Sequence, residues 1–123
     1  MKLRSLMDQK VYLDEGFVVE FKKDEVFELT YGELDHDNYF GWWYNDRMIL
    51  PKRAFAEATE KDEFLWRVKS HLEFIGDNEL LSQERKLEQA FGFIQGCSFC
   101  HEEYIDDLTD VFESFRSKIL WGR

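Results

Sequence analysis

The chain has a single proline, only two cysteines, and no apolar run long enough to cross a bilayer. Two cysteines are too few to staple a fold together, and such sparse usage fits a reducing cytoplasm. The longest uncharged stretch, Gln89 to His101, is broken by polar and glycine positions and falls short of a membrane span. Met1-Lys2-Leu3-Arg4 opens like the basic part of a signal peptide, but Asp8, Lys10 and Asp14 interrupt any apolar segment, so no secretory signal is expected. A Gly-rich phosphate loop, H-E-x-x-H, G-x-S-x-G and D-x-D-x-D-G are all missing. No catalytic site, metal or cofactor is assigned, and the expectation is a non-enzyme.

Cations are missing over two long stretches. From Asp24 through Asp46 there is no Lys or Arg, against Asp24, Glu25, Glu28, Glu33, Asp35, Asp37 and Asp46. From Leu87 through Phe115 there is again none, against Glu88, Glu102, Glu103, Asp106, Asp107, Asp110 and Glu113. Each stretch carries −7, so the rest of a chain with net charge −10 is positive. That balance disfavours direct binding to nucleic acid or to an anionic membrane, where phosphates would meet like charge.

What is abundant is aromatic: 17% of the 123 residues, too many for a disordered acidic tail. The length suits one domain. In the first half, Val11-Tyr12-Leu13, Phe17 to Lys22 and Glu25 to Tyr31 alternate with period two around the turns Asp14-Glu15-Gly16 and Lys23-Asp24. A loop over Gly32 to Asn38 precedes Tyr39 to Tyr44, the turn Asn45-Asp46, and Arg47 to Leu50, which Pro51 ends. After Pro51 the period becomes helical. Thr59 and Asp62 form an approximate capping box, and Phe64, Leu65, Val68, Leu72 and Ile75 follow at helical spacing up to Gly76. A second helix is expected from about Asn78. A third runs from Cys97 to Leu120, with Cys97, Cys100, Tyr104, Leu108, Val111, Phe112, Phe115 and Ile119 on one stripe; the two could be one long kinked helix. The expectation is one α+β domain: an N-terminal antiparallel β-meander of four or five strands over 1–58, then two or three helices over 59–123 packed on one face.

On the third helix, five of the six acids from Glu102 to Glu113 project opposite the apolar stripe, with Asp107 nearer its flank. A charged exposed face has a bland explanation in solubility. Uncompensated charge argues for more, because like charges at i,i+4, such as Glu102/Asp106 and Glu103/Asp107, each cost a few tenths of a kcal/mol. Such a face suits docking on a basic partner, which it would steer into encounter. The aromatic strand adds a second feature. Phe40, Trp42 and Tyr44 share one face, and Tyr39 and Trp43 the other. Aromatics favour cores, so the strand can be buried on both sides or Trp43 covered by the N-terminal segment. If helices cover one face only, the Tyr39/Trp43 set meets solvent or another surface, and aromatics beside carboxylates suit Arg and Lys side chains. The candidate contacts are Glu33, Asp35, Asp37, Trp43, Glu103, Asp106, Asp107 and Asp110. The expected function is a small cytoplasmic binding protein that neutralises a basic protein, of the immunity or antitoxin type that blocks a nuclease toxin.

Two alternatives compete. A DNA mimic from a phage or plasmid would use the same carboxylates against a nucleic-acid enzyme. A metal or thiol-redox protein would use Cys97-Ser98-Phe99-Cys100-His101, a string that also matches c-type haem attachment. Haem lacks an export signal and a methionine after His101; zinc lacks a second Cys pair. A reactive dithiol needs Cys97 at a helix N-terminus. Otherwise the two cysteines are small core residues on the apolar stripe. Asp35-His36-Asp37 reads as a polar loop tip.

Overall fold

The computed structural model describes residues 1–13 and 16–122, and its fold is α+β. Among these residues, eight strands precede three helices. The strands are β1 (Lys2–Ser5), β2 (Gln9–Tyr12), β3 (Val18–Phe21), β4 (Val26–Glu28), β5 (Thr30–Leu34), β6 (Asn38–Trp43), β7 (Asp46–Pro51) and β8 (Phe55–Glu57). The helices are α1 (Glu60–Gly76), α2 (Gln83–Cys100) and α3 (Ile105–Leu120), with a 3-10 turn over Glu102–Tyr104. The chain divides into two compact units, Met1–Trp66 and Arg67–Arg123.

All strand pairs in the first unit are antiparallel, but their order is not a simple meander. β1 lies between β4 and β8, β2 pairs with β3, and β6 lies between β5 and β7. The count exceeds the four or five strands expected because β1 and β8 are short and lack the β-branched runs that mark a strand locally. They form by long-range pairing, β1 with both β4 and β8 and β8 with β1. The expected strand Glu25 to Tyr31 is two strands, β4 and β5, divided at the buried Leu29. β5 then runs on to Leu34, inside the expected loop. Asp14 and Glu15 of the expected first turn lie outside the described residues; Gly16, at φ +82°, adopts a left-handed backbone that glycine accepts without strain.

The three small sheets share one core: Leu3, Phe21, Phe27, Leu29, Tyr39, Met48, Leu50, Ala54 and Phe55. At its centre Phe21 and Phe27 lie 4.4 Å apart between ring centroids, and both meet the edge of Phe55, at 5.5 and 5.7 Å. Each such ring contributes roughly 1.5–3 kcal/mol on burial, before the edge-to-face term. The one buried polar residue among the described residues of this unit, Ser5, is satisfied. Its hydroxyl donates to Met7 O and accepts from Gln9 Nε2, both at 2.7 Å.

Helix α1 starts as its sequence dictates. Thr59 N–H donates to Asp62 Oδ2 at 2.9 Å and Asp62 N–H donates to Thr59 Oγ1 at 3.1 Å, a reciprocal capping box. Lys2–Glu63 and Arg4–Asp62 ion pairs, at 2.6 and 3.7 Å, tie this first turn to β1.

In the second unit the buried side chains are Val68, Leu72 and Ile75 of α1, Ala90 and Ile94 of α2, and Leu108 and Phe115 of α3. Lys86 Nζ donates to Gly76 O at 2.7 Å, placing a cation on the carbonyl end of α1. Helix α2 begins later than Asn78. The Asn78 side chain accepts from Leu80 N–H instead, a local turn that competes with helix, and Ser82 caps the helix by accepting from Arg85 N–H at 3.2 Å. The expected single helix from Cys97 to Leu120 does not form. Helix α2 ends at Cys100, the chain bends through His101 and the 3-10 turn, and α3 begins at Ile105. The α3 part of the stripe holds, with Leu108 and Phe115 buried and Val111, Phe112 and Ile119 half-buried.

Candidate functional site

The β5–β6–β7 sheet has one face on the core and one in solvent, and the register decides which residues go where. Tyr39 and Gly41 are buried and Trp43 is half-buried against the core, so this is the set that packs inward. The outward face carries Phe40 and Trp42. Burial of Leu29, Met48 and Leu50 selects this register, since a strand's facing is set by which alternate set its neighbours can cover.

Two cross-strand rows run over the outward face. Glu33, Phe40 and Ile49 form one, and Thr30, Trp42 and Arg47 the other. Phe40 is half-buried, while Trp42 and Ile49 are 44% and 55% exposed. Tyr44 follows at the β6–β7 turn with its ring edge-on to Trp43, centroids 4.8 Å apart. Tyr31 lies in β5 where the register shifts between Thr30 and Glu33, a β-bulge. Both tyrosines hold left-handed backbones, at φ 53° and 58°, and both are more than 80% exposed. Bulky residues are rare there and each costs on the order of 1 kcal/mol, so two solvent-facing tyrosines are held at the expense of backbone strain.

The acids of this unit border that face. Glu33 stands directly across from Phe40. Asp35 and Asp37 form the exposed β5–β6 loop. Asp35 Oδ1 accepts from the backbone N–H of Asp37 at 2.8 Å and of Asn38 at 3.0 Å, and those two bonds hold its carboxyl below the usual aspartate range. Asp37 is anchored by its carbonyl, which accepts from Lys52 N–H at 3.0 Å. The loop is thus a polar turn whose geometry keeps one carboxylate ionised.

The second acidic surface belongs to the α2–α3 corner and α3. Glu102, Glu103, Asp106, Asp110 and Glu113 are exposed and Asp107 is half-buried, the division expected from the helical wheel. Its cause differs in part: Glu102 and Glu103 belong to the 3-10 turn, so their expected i,i+4 repulsion with Asp106 and Asp107 does not arise on one helix. Asp106 and Asp107 occupy the first turn of α3, where the helix dipole favours them. Glu103 lies 3.7 Å from His101 Nδ1, and Glu113 is 3.6 Å from Arg116.

No family model, no curated protein and no solved structure matches this chain. What these surfaces can do follows from their own chemistry.

The Cys-x-x-Cys-His string falls on the last turn of α2 and the bend beyond it. Cys97 is half-buried and Cys100 exposed, so Cys100 is not the core residue expected. Neither cysteine sits at a helix N-terminus. The carbonyl end of α2 disfavours a thiolate, and burial, with Cys100 close by, pushes the Cys97 thiol up. Among the described residues no three His, Cys, Asp or Glu side chains are placed to hold a metal ion, and no helix is long and apolar enough to cross a membrane. Sequence reasoning missed Arg47, Tyr31 and Tyr44. The bulge behind Tyr31 and the primed turn behind Tyr44 have no local signature, as glycine or asparagine is the usual occupant.

Proposed function

We propose that this protein is an acidic binding protein that docks on a basic protein partner and masks it, as an immunity- or antitoxin-type inhibitor of a nuclease acting in the cytoplasm. One observation supports this best: the outward face of the β5–β6–β7 sheet, where exposed Trp42 and half-buried Phe40 stand beside Glu33 and the Asp35/Asp37 loop. Aromatic faces with bordering carboxylates bind Lys and Arg side chains by cation–π contact and ion pairing together. Catalytic clefts of nucleases are cationic because they hold phosphates, so carboxylates can fill them where the nucleic acid would lie. The acids of α3, Asp106 and Asp110 first, supply a second surface of the same sign.

The test is affinity capture from host extract at about 50 mM salt, followed by elution in rising salt. The expected result is a basic protein with nuclease activity, inhibited by this chain, released before about 1 M salt and lost with the variant Glu33→Lys/Asp37→Lys. Retention unchanged to 1 M salt, or inhibition unaffected by that variant, overturns the reading.

A further inference from the structure

Strand β7 is an edge, and its hydrogen-bond parity can be read from the turn that precedes it. Tyr44 and Asn45 form a two-residue hairpin loop closed by Trp43 and Asp46, so that pair exchanges hydrogen bonds, as do Gly41/Met48 and Tyr39/Leu50. Lys52 N–H donating to Asp37 O continues the same parity. Pro51, opposite Asn38, falls on the other parity, where its missing N–H costs the ladder nothing. Arg47 and Ile49 therefore turn both N–H and C=O away from β6, and among the described residues no backbone group pairs with them. The free edge is short. The hairpin turn bounds it on one side, and on the other the Pro51 carbonyl already accepts from Ala54 N–H.

We infer that β7 is a self-association edge: two copies of this chain pair antiparallel through Arg47–Ile49, with Met48 opposite Met48, to form a continuous six-stranded sheet. This register places Arg47 of each copy opposite Ile49 of the other. Each such pair exchanges two hydrogen bonds, so all four free groups of each edge are satisfied with none left over. A longer foreign strand gains no further bonds, because the turn and Pro51 close the window. On the outward face the row Thr30–Trp42–Arg47 continues into Ile49, Phe40 and Glu33 of the second copy. The Arg47 stem would lie over Ile49 of that copy, with Trp42 across from it on its own sheet.

Charge favours the β7 edge over the β5 edge of the same sheet, although Asp46 lies at the hairpin end of β7. Glu33 lies on β5 and Asp35 just beyond it, at the far side of the sheet, while Asp37 continues the middle strand β6. In the paired form the two β5 strands stand about 25 Å apart, beyond a Debye length of about 8 Å. The acidic loops stay free at opposite ends, and the inference does not depend on the proposed partner.

The experiment is amide hydrogen exchange on the full chain at about 10 µM and about 1 mM, with sedimentation equilibrium alongside. The expected result is a dimer at the higher concentration, with exchange at Arg47 and Ile49 slowed by at least about tenfold while Thr30, on β5, is unchanged. Ile49→Lys and Arg47→Pro should each give a folded monomer by circular dichroism, with Thr30→Lys retaining the dimer. A monomer at 1 mM, or a dimer in which the Arg47 and Ile49 amides exchange as fast as in the monomer, overturns it. So does a dimer that persists in both folded edge variants.

Discussion

Gly41 and Leu29 approach so closely that a Cβ built on Gly41 would lie 2.8 Å from the Leu29 Cβ and 3.3 Å from the Gly32 Cα. Gly41 faces the core opposite the β5 bulge, and Leu29 is the fully buried residue at which the chain passes from β4 to β5. One contact thus joins the strand carrying Trp42 to the corner between two sheets. Gly41→Ala should destabilise the fold by about 1–3 kcal/mol, because backbone and a branched core side chain must both give way. Thermal denaturation checks this, and an unshifted midpoint would mean the bulge can relax without cost.

Tyr44 holds a left-handed backbone in a two-residue turn where glycine is the natural occupant. Tyr44→Gly should leave stability unchanged or raise it by up to about 1 kcal/mol, even though the edge contact with Trp43 is lost. If the exposed ring serves binding, the same variant weakens partner capture. A midpoint that falls by several degrees would show that the ring stabilises the sheet.

Asp35 titrates with the loop it folds. Its carboxyl is depressed by the Asp37 and Asn38 amides, so the folded state favours the ionised form. A depressed carboxylate adds stability above its unfolded value, near pH 3.9, and that stability is lost as pH falls through the folded value. Amides of Asp37 and Asn38 should therefore lose protection on acidification below about pH 4 and stay protected at neutral pH. Asp35→Asn should abolish that pH dependence in a hydrogen-exchange series.

The acids of α3 divide by position. Asp106→Lys/Asp110→Lys should weaken inhibition of the partner by at least about tenfold, through loss of steering and of contact ion pairs. Glu79→Lys, in the α1–α2 turn, should have little effect. Equal inhibition by all three proteins would remove α3 from the interface.

The two thiols differ in environment. Cys100 is exposed, whereas burial pushes the half-buried Cys97 thiol up from its ordinary range. A neutral alkylating reagent near pH 8 should label Cys100 first and Cys97 several-fold more slowly, read by mass spectrometry of the peptides. Faster labelling of Cys97 would show that the end of α2 opens in solution.

Local chemistry made much of this protein legible. Thr59 and Asp62 announce the start of α1 because both partners of a capping box lie within one turn. The alternation of Val19 and Phe21 in β3 and of Tyr39, Gly41 and Trp43 in β6, and the α3 stripe through Phe115, report elements whose buried sets repeat at the period of their own backbone, while Phe17 falls outside β3 and is exposed. The exposure of Asp106, Asp110 and Glu113 and the half-burial of Asp107 follow from the same geometry, whereas Glu102 and Glu103 are exposed on the 3-10 turn. Where two rules compete inside a short window, the sequence is silent: Asn78 could open a helix or hold a turn, and Cys97–Leu120 could run straight or bend at His101.

Tertiary structure decided the rest, because facing and pairing depend on residues far along the chain. Local alternation cannot say which set of β6 points inward. Leu29, Met48 and Leu50 settle it by covering Tyr39, Gly41 and Trp43, which sends Phe40 and Trp42 outward. β1 is a strand because it hydrogen-bonds to β4 on one side and β8 on the other, and β8 because it pairs with β1, interactions across some twenty to fifty residues that no window contains. The scarcity of proline acquires a meaning in the same way. Pro51 lies on the outward parity of β7, and it closes the free edge just past Ile49.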